Sequence, residues 1–320
     1  MPMRRPTLTL TIACALALAG PQAHADDAGQ ARTLRSGGNA LQVGVEGVSD
    51  PERVAMLQRW LAECADASLT AFGRYPLRTA RVRIREIDSR DASPVPWGQT
   101  RRDDGVAVLL YVRRGASLEQ LRADWTAVHE LSHLFHPYLG REGRWMAEGL
   151  ASYYQNVLRA RAGLLTPDQA WRQLDAGFGR GRRVGTGAAL DELGRGGTMR
   201  VYWAGAAYWL EADLALRARG LDLDTLLSRY AACCLDATAD DMDAMTAQRF
   251  AAELDRLGGD GVFARLYARY ARSREFPDLD AAYAALGLEA DAGGLRYSSD
   301  ADAVRLRTAI MGPRPARAAR

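Results

Sequence analysis

The sequence predicts an α+β fold, in which a small N-terminal mixed sheet and a motif-bearing helix precede a mainly helical part. Segments with the two-residue period or the continuous hydrophobicity of strands lie between residues 41 and 112. From residue 144 onward, the apolar residues recur mostly at the spacing of helices. We therefore predict an α/β subdomain at 41–143 and a helical subdomain at 144–290.

The first 25 residues have the pattern of a secretory signal peptide. Arg4 and Arg5 precede an apolar run, and a small-x-small cleavage site ends at Ala25. This pattern predicts a periplasmic or secreted protein. Cys14 lies within the run without a convincing lipobox, so a soluble exported protein is favoured over a lipoprotein. Residues 26–40 are polar and glycine-rich and are predicted to be a loose leader.

The charge balance excludes one class of partner. The formal net charge of +3 falls to +1 once Arg4 and Arg5 are removed with the signal peptide. So small a charge gives no electrostatic basis for binding nucleic acid. No later segment is long and apolar enough to predict a membrane span, so we expect no stable membrane insertion.

Three cysteines remain after the predicted cleavage, namely Cys64, Cys233 and Cys234. An oxidising compartment permits one disulfide, and we expect it to join Cys64 to one member of the adjacent pair. Buried free thiols are an equally weighted alternative.

The elements of the α/β subdomain follow from local patterns. A short strand is predicted at 41–45. Asp50 as N-cap and Pro51 at the first helical position then begin a helix whose apolar face includes Cys64. Alternation at 80–87 predicts a half-buried strand.

Two further segments predict a hairpin. Residues 97–102 and 106–112 are separated by the turn sequence Asp103-Asp104-Gly105. The second segment is apolar, so the first, which is polar, is predicted to be an edge strand. Such an edge can pair with an extended peptide, and an ordinary hairpin without that role is the alternative.

Ser117 to Gln120 form a capping box that predicts a helix running to Pro137. A turn with Gly140 and Gly143 leads to a second helix at about 145–161. Further helices are predicted at 166–176, 199–218, 222–234, 244–257, 260–272 and 277–285. A Gly/Arg-rich loop is predicted at 177–197, and 291–320 is predicted to be a C-terminal tail with a disordered end.

The helix before Pro137 carries His129, Glu130 and His133 in the order H-E-x-x-H. One helical turn separates the two histidines, so both imidazoles can reach one metal ion. Of the four histidines in the chain, only His24 lies outside residues 129–136. This clustering favours a metal site over the alternative of ordinary core or surface histidines.

The predicted centre holds one Zn²⁺ ion. Its ligands would be His129, His133 and, from the second helix, Glu148, which leaves one position for water. Glu130 would act as general base toward that water and then pass the proton to the leaving amine. His136 is an alternative ligand, but its position before Pro137 favours a helix-end or supporting role.

H-E-x-x-H followed by W-x-x-E-G-x-A-x-Y resembles the gluzincin branch of zinc peptidases, and the resemblance extends over about 100–290. The later helical part is most similar to the glycyl aminopeptidase family. The resemblance implies a zincin-like fold and an oxyanion-stabilising role for Tyr202, which begins a Y-x-x-G pattern. A core aromatic role is the alternative for Tyr202. Ser152 is either a partner that orients a ligand histidine or a helix-surface serine.

The expected function is an exported zinc-dependent metallopeptidase that acts on peptides or proteins. No acidic anchor for a substrate α-amine is evident, so endopeptidase and aminopeptidase activity both remain open. The alternative is a non-catalytic binding or scaffold protein with a structural metal. Glu130 argues against that alternative, because a structural zinc site does not use a general base.

Overall fold

The computed structural model describes residues 31–103, 105–185, 187–235, 245–291 and 293–314. The predicted signal peptide, with Cys14 and His24, lies outside the described residues. The strands in the described ranges are β1 (Arg32–Ser36), β2 (Asn39–Glu46), β3 (Thr79–Ile87), β4 (Trp97–Arg101), β5 (Ala107–Arg113), β6 (Leu288–Asp291) and β7 (Gly294–Tyr297).

The helices in the described ranges are α1 (Pro51–Phe72), α2 (Leu118–Ala123), α3 (Thr126–Ser132), α4 (Arg144–Arg161), α5 (Pro167–Arg182), α6 (Thr198–Arg217), α7 (Leu223–Cys233), α8 (Ala247–Leu254), α9 (Val262–Ala271), α10 (Asp280–Leu286) and α11 (Ala301–Met311). None of them combines the length and the apolar character that a membrane crossing requires.

The N-terminal sheet has the strand order β1-β2-β3-β5-β4. The three central strands are parallel, with Val43 opposite Val82 and Ile84 opposite Leu110. All four of these side chains are buried. The outer strands β1 and β4 pair antiparallel with their neighbours. The predicted mixed sheet is confirmed, and β4 lies at its edge as the polar character of 97–102 indicates.

Strand β1 lies within residues 26–40, where the sequence predicts a loose leader. Gly37 and Gly38 have φ values of 59° and 80° and form the two-residue turn that joins β1 to β2. Positive φ at both turn positions suits the twist of an antiparallel hairpin and favours glycine. The prediction of a leader is wrong from Arg32 onward, because these glycines form a hairpin turn rather than a loose segment.

The helix predicted from Ser117 to Pro137 is interrupted. The capping box at Ser117 is present, but Asp124 is extended (ψ 147°) and separates α2 from α3. The Asp124 carboxylate accepts a hydrogen bond from the Thr126 backbone N–H at 2.7 Å, so it helps to begin α3. A short 3₁₀ turn, His133–Phe135, follows α3.

Helix α4 and helix α6 pack side by side within the predicted helical subdomain, and α4 also packs against α1 and α3 of the other subdomain. One hydrophobic cluster extends through both. The indole N–H of Trp209 in α6 donates to the Met146 carbonyl of α4 at 2.8 Å. This packing fixes α6 against the helix that carries Glu148.

Two predicted irregular segments contain regular structure. Helix α5 continues to Arg182, into the loop predicted at 177–197, because Gly177 packs against the Trp203 ring where a side chain would not fit. Strand β7 and helix α11 lie within the tail predicted at 291–320. Ile310 of α11 is fully buried, and Arg314 pairs with Asp224 at 2.7 Å. The remainder of that tail, 315–320, lies outside the described residues.

The cysteines pair differently from the expected bridge. Cys233 and Cys234 are bonded to each other, and Cys64 is a buried free thiol. The predicted bridge from Cys64 to this pair is therefore wrong, whereas the alternative of a buried thiol holds for Cys64. Its side chain faces the core from α1, while the pair lies at the more exposed end of α7.

Candidate metal centre and active site

Helices α3 and α4 and the 3₁₀ turn bring His129, His133 and Glu148 together. One ligand atom from each lies within 4.8 Å of the others. The Glu148 Oε2 atom is 3.2 Å from His129 Nε2 and 3.6 Å from His133 Nε2. Two imidazole nitrogens and one carboxylate oxygen are the donor set of a hydrolytic zinc site, so these residues fit the ion predicted from the sequence.

The charges at this centre also suit a cation. Burial alone would raise the pKa of Glu148, but hydrogen bonds and positive charge from His129 and His133 hold it well below its usual range. Burial alone would lower the pKa of His129, but the Glu148 hydrogen bond and the charges of Glu130 and Glu148 raise it. A partly buried carboxylate thus faces two imidazoles, and its negative charge favours a cation at this centre.

His129 is oriented by a residue of α4. Its Nδ1–H donates to Gln155 Oε1 at 2.8 Å, which leaves Nε2 directed at Glu148. Ser152, the sequence candidate for such a role, is buried, and its hydroxyl has no hydrogen-bond partner in the described part of the chain. Spacing could have identified Gln155, because it lies two helical turns after Glu148 on the same face.

His136 lies on the side of His133 that faces away from Glu148. Its Nε2 atom is 3.0 Å from His133 Nδ1, and its own Nδ1 is 2.6 Å from the Pro137 carbonyl oxygen. Burial holds the pKa of His136 well below its usual value, and the positive charges of His133 and Arg102 act in the same direction. The geometry gives His136 the supporting position rather than a place among the converging ligand atoms.

Glu130 lies against the edge strand. The Thr100 hydroxyl of β4 is 3.0 Å from Glu130 Oε2 and can donate to it. Gly98 of β4 permits this approach, because a Cβ at that position would lie 2.7 Å from Glu130 Cγ. The strand edge and the predicted general base are therefore in direct contact. The sequence gives no local signal for Thr100 beyond its place in an edge strand.

Tyr202 reaches the centre from α6. Its ring stacks on the His129 ring at 5.6 Å between centroids, with 22° between the planes. Burial raises the pKa of Tyr202, and the charge and hydrogen bond of Glu148 raise it further, so its hydroxyl keeps its proton. The phenol is thus available as a hydrogen-bond donor beside the ligands.

Arg144 also borders the centre. Its Nε atom is 3.8 Å from Glu148 Oε1, the oxygen that does not face His129. Its guanidinium carbon is 5.9 Å from the centroid of the Tyr202 ring. Sequence reasoning missed Arg144, although it lies four residues before Glu148 on one helix face, a spacing at which side chains meet.

Comparison with known proteins gives a partial family match and a fold. Residues 135–189 match the family model of the M61 glycyl aminopeptidase. No curated protein matches the sequence. An aminopeptidase N family protein from Idiomarina loihiensis has a similar structure, with 14% sequence identity and a TM-score of 0.59 over 81% of this chain.

Yeast LTA4 hydrolase, solved in complex with bestatin, is also similar, with 11% identity and a TM-score of 0.51 over 80% of this chain. The chain spans 49% of the length of the Idiomarina protein and 43% of the yeast protein. The similarity therefore concerns about half of each larger protein. The chain thus resembles the M61 glycyl aminopeptidase family over residues 135–189 and shares the fold of these two solved structures.

Proposed function

We propose that the protein is an exported, zinc-dependent metallopeptidase that hydrolyses peptide bonds. The observation that carries this proposal is the convergence of His129, His133 and Glu148, with Glu130 beside them, on a gluzincin fold. A structural metal site would be closed by four protein ligands, whereas the ligand set here leaves a position for water.

When bound, zinc would supply a Lewis acid and a water molecule of lowered pKa. His129, His133 and Glu148 would hold the ion. Glu130 would accept the proton of the water and deliver it to the leaving amine, acting first as a general base and then as a general acid.

Tyr202 supplies the second element of catalysis. Its protonated hydroxyl would donate a hydrogen bond to the oxygen that becomes negative in the tetrahedral intermediate. The stacking of its ring on His129 holds the phenol next to the ligands. An oriented donor of this kind stabilises the transition state more than the ground state.

The substrate would be an extended peptide that pairs with β4. This strand ends the sheet in the described part of the chain, and its residues Gly98 and Thr100 contact Glu130. Main-chain hydrogen bonds along a sheet edge give affinity without strict sequence selection. The M61 match and the aminopeptidase N neighbour support an aminopeptidase, and an endopeptidase is the alternative that cleavage of acetylated peptides would reveal.

Export and a periplasmic or secreted location rest on the signal-peptide pattern of residues 1–25. The mass of the N-terminal peptide from protein expressed with its full sequence tests this part of the proposal. We expect the mature chain to begin at about Asp26, and an unprocessed Met1 in the exported fraction would contradict it.

The testing experiment is cleavage of a peptide library in which half the members have free N-termini and half are acetylated. The purified protein is compared with the Glu130→Gln variant and with Glu119→Gln, which alters an exposed carboxylate on α2. Loss of cleavage in the first variant but not the second supports the proposal. Cleavage of free N-termini alone indicates an aminopeptidase, and internal cleavage of acetylated members indicates an endopeptidase. No cleavage by zinc-loaded wild-type protein would favour the scaffold alternative.

A further inference from the structure

We infer that His136 is a positioning residue that fixes the tautomer and orientation of the metal ligand His133, through a histidine-to-histidine hydrogen bond anchored by Pro137 and Arg102. This inference rests on the proposed zinc site, but it concerns the residues behind the site rather than the reaction. It assigns a role to the third histidine of the cluster.

The hydrogen-bond partners of His133 and His136 determine which ring nitrogens carry the protons. The Pro137 carbonyl oxygen, 2.6 Å from His136 Nδ1, can only accept a hydrogen bond. His136 Nδ1 must therefore carry a proton, and in a neutral ring its Nε2 is then an acceptor. That acceptor lies 3.0 Å from His133 Nδ1, so His133 donates from Nδ1.

The consequence for the ligand is direct. A neutral His133 with its proton on Nδ1 has a free lone pair on Nε2, the atom that faces Glu148 at 3.6 Å. The opposite neutral arrangement, with the shared proton on His136, would place an unprotonated Nδ1 against the Pro137 carbonyl and a proton on His133 Nε2. That arrangement sets two acceptors against each other and blocks the metal-binding atom.

The protein backbone keeps this pair in place. One terminal nitrogen of Arg102, just after β4, donates to the carbonyl oxygens of both His133 and His136, at 2.6 and 2.7 Å. The guanidinium thereby ties the two histidines to each other across the end of the 3₁₀ turn. It also places a fixed positive charge beside His136.

The partner of His133 is unusual because it is a neutral ring, that of His136. Metal-bound histidines commonly donate their other N–H to a carboxylate, a backbone carbonyl or water. His133 instead donates to a neutral ring, and His129 donates to the amide of Gln155. Both ligand histidines are thus oriented without an added negative charge, so the net charge of the centre is set by Glu148 and Glu130.

The first test needs no substitution. Long-range ¹H–¹⁵N correlation spectra of the metal-free protein report histidine tautomers, and only four histidines have to be assigned. We expect His133 and His136 each to carry the proton on Nδ1. A proton on Nε2 of His133 would overturn the inference.

The second test measures zinc affinity by competition with a chromophoric chelator. His136→Phe keeps an aromatic ring and removes the acceptor, and we expect zinc to bind about 10–100-fold more weakly. His136→Gln replaces the acceptor with an amide oxygen at a similar reach, and we expect it to bind within a few-fold of wild type. Equal affinity of the Phe variant and wild type would contradict a positioning role, as would equal weakening in both variants.

Both tests remain decisive whether or not the protein cleaves peptides, because neither reads activity. Failure of the peptidase proposal would appear as zinc binding without cleavage. Failure of the His136 inference would appear as a wrong tautomer or an unaffected affinity. Melting curves of the metal-free variants show separately whether each substitution preserves the fold.

Discussion

Gly149 of α4 and Gly205 of α6 face each other with their backbones in contact. A Cβ on Gly205 would lie 2.7 Å from the Cα of Gly149, and a Cβ on Gly149 would lie 2.7 Å from the Gly205 carbonyl oxygen. Glu148 immediately precedes the first glycine, and Tyr202 lies three residues before the second. The contact between these two glycines therefore sets how closely the proposed third ligand and the proposed oxyanion donor approach each other.

Substitution of either glycine should weaken both the fold and the site. We expect Gly149→Ala or Gly205→Ala to lower the free energy of unfolding by about 3 kcal/mol, the upper part of the range for overpacking, because backbone atoms cannot rotate away. We also expect weaker zinc binding in any variant that folds. Denaturant unfolding and chelator competition measure the two effects.

Gly179→Ala is the matched control for this substitution. Gly179 lies in α5, and a Cβ there would meet only the Arg183 guanidinium, at an ordinary 3.6 Å. Alanine should then stabilise the helix by about 0.5–1 kcal/mol. If all three variants had the same stability, close approach at Gly149 and Gly205 would not matter to the fold.

Much of this fold could be predicted from local patterns, because periodicity and capping are local properties. The alternation at 80–87, the antiparallel pairing of the segments 97–102 and 106–112 and the Ser117 capping box all correspond to observed elements. Strand β1 was not predictable in the same way, since glycines in a tight turn and in a loose leader have the same composition. The interruption at Asp124 also depends on a side-chain hydrogen bond within an otherwise helical pattern.

In the site, too, some contacts follow from local sequence patterns and others do not. His129 and His133 are one turn apart in sequence, so spacing alone predicts that they can share an ion, and Gln155 and Arg144 follow helical spacing from Glu148. No such spacing identifies Thr100 and Arg102, since each contacts the H-E-x-x-H segment from about thirty residues away along the chain. Only the docking of β4 against α3 brings them there, and no local pattern encodes that docking.

Tyr202→Phe should reduce catalysis without affecting the metal. Removal of one oriented oxyanion donor typically lowers kcat by about 10²–10³-fold. The phenyl ring can still stack on His129, so we expect zinc affinity and melting temperature close to those of wild type. Steady-state kinetics on a cleaved library peptide, together with zinc titration, checks both expectations.

Tyr208→Phe provides the contrast for Tyr202. The Tyr208 hydroxyl donates to the Phe263 carbonyl at 3.2 Å in the core, away from the ligands. Its loss should cost about 1 kcal/mol of stability and leave kcat unchanged. Normal kinetics in Tyr202→Phe would assign Tyr202 to the aromatic core instead.

Chelation should abolish activity, and zinc should restore it. Because the ion would bind the folded state, zinc at a hundredfold excess over Kd should increase the free energy of unfolding by about 2.7 kcal/mol. The melting temperature should rise accordingly. Glu130→Gln should keep this thermal shift while lacking activity, since Glu130 is not a proposed ligand. His129→Ala should lose both. Cleavage that persists after complete removal of the metal would contradict a zinc-dependent mechanism.

Cys64 should resist thiol reagents while the protein is folded. Burial raises the pKa of its thiol to about 12, so at pH 8 the reactive thiolate is both scarce and inaccessible. Because folding raises the pKa of this thiol, its contribution to stability is complete at neutral pH and falls as the pH rises above about 9.0, where the thiol of the unfolded chain ionises. We expect iodoacetamide to label Cys64 in denaturant but not in buffer, as measured by peptide mass spectrometry. Rapid labelling of the native protein, or a non-reduced peptide that joins Cys64 to Cys233 or Cys234, would show that the thiol is not confined to the core.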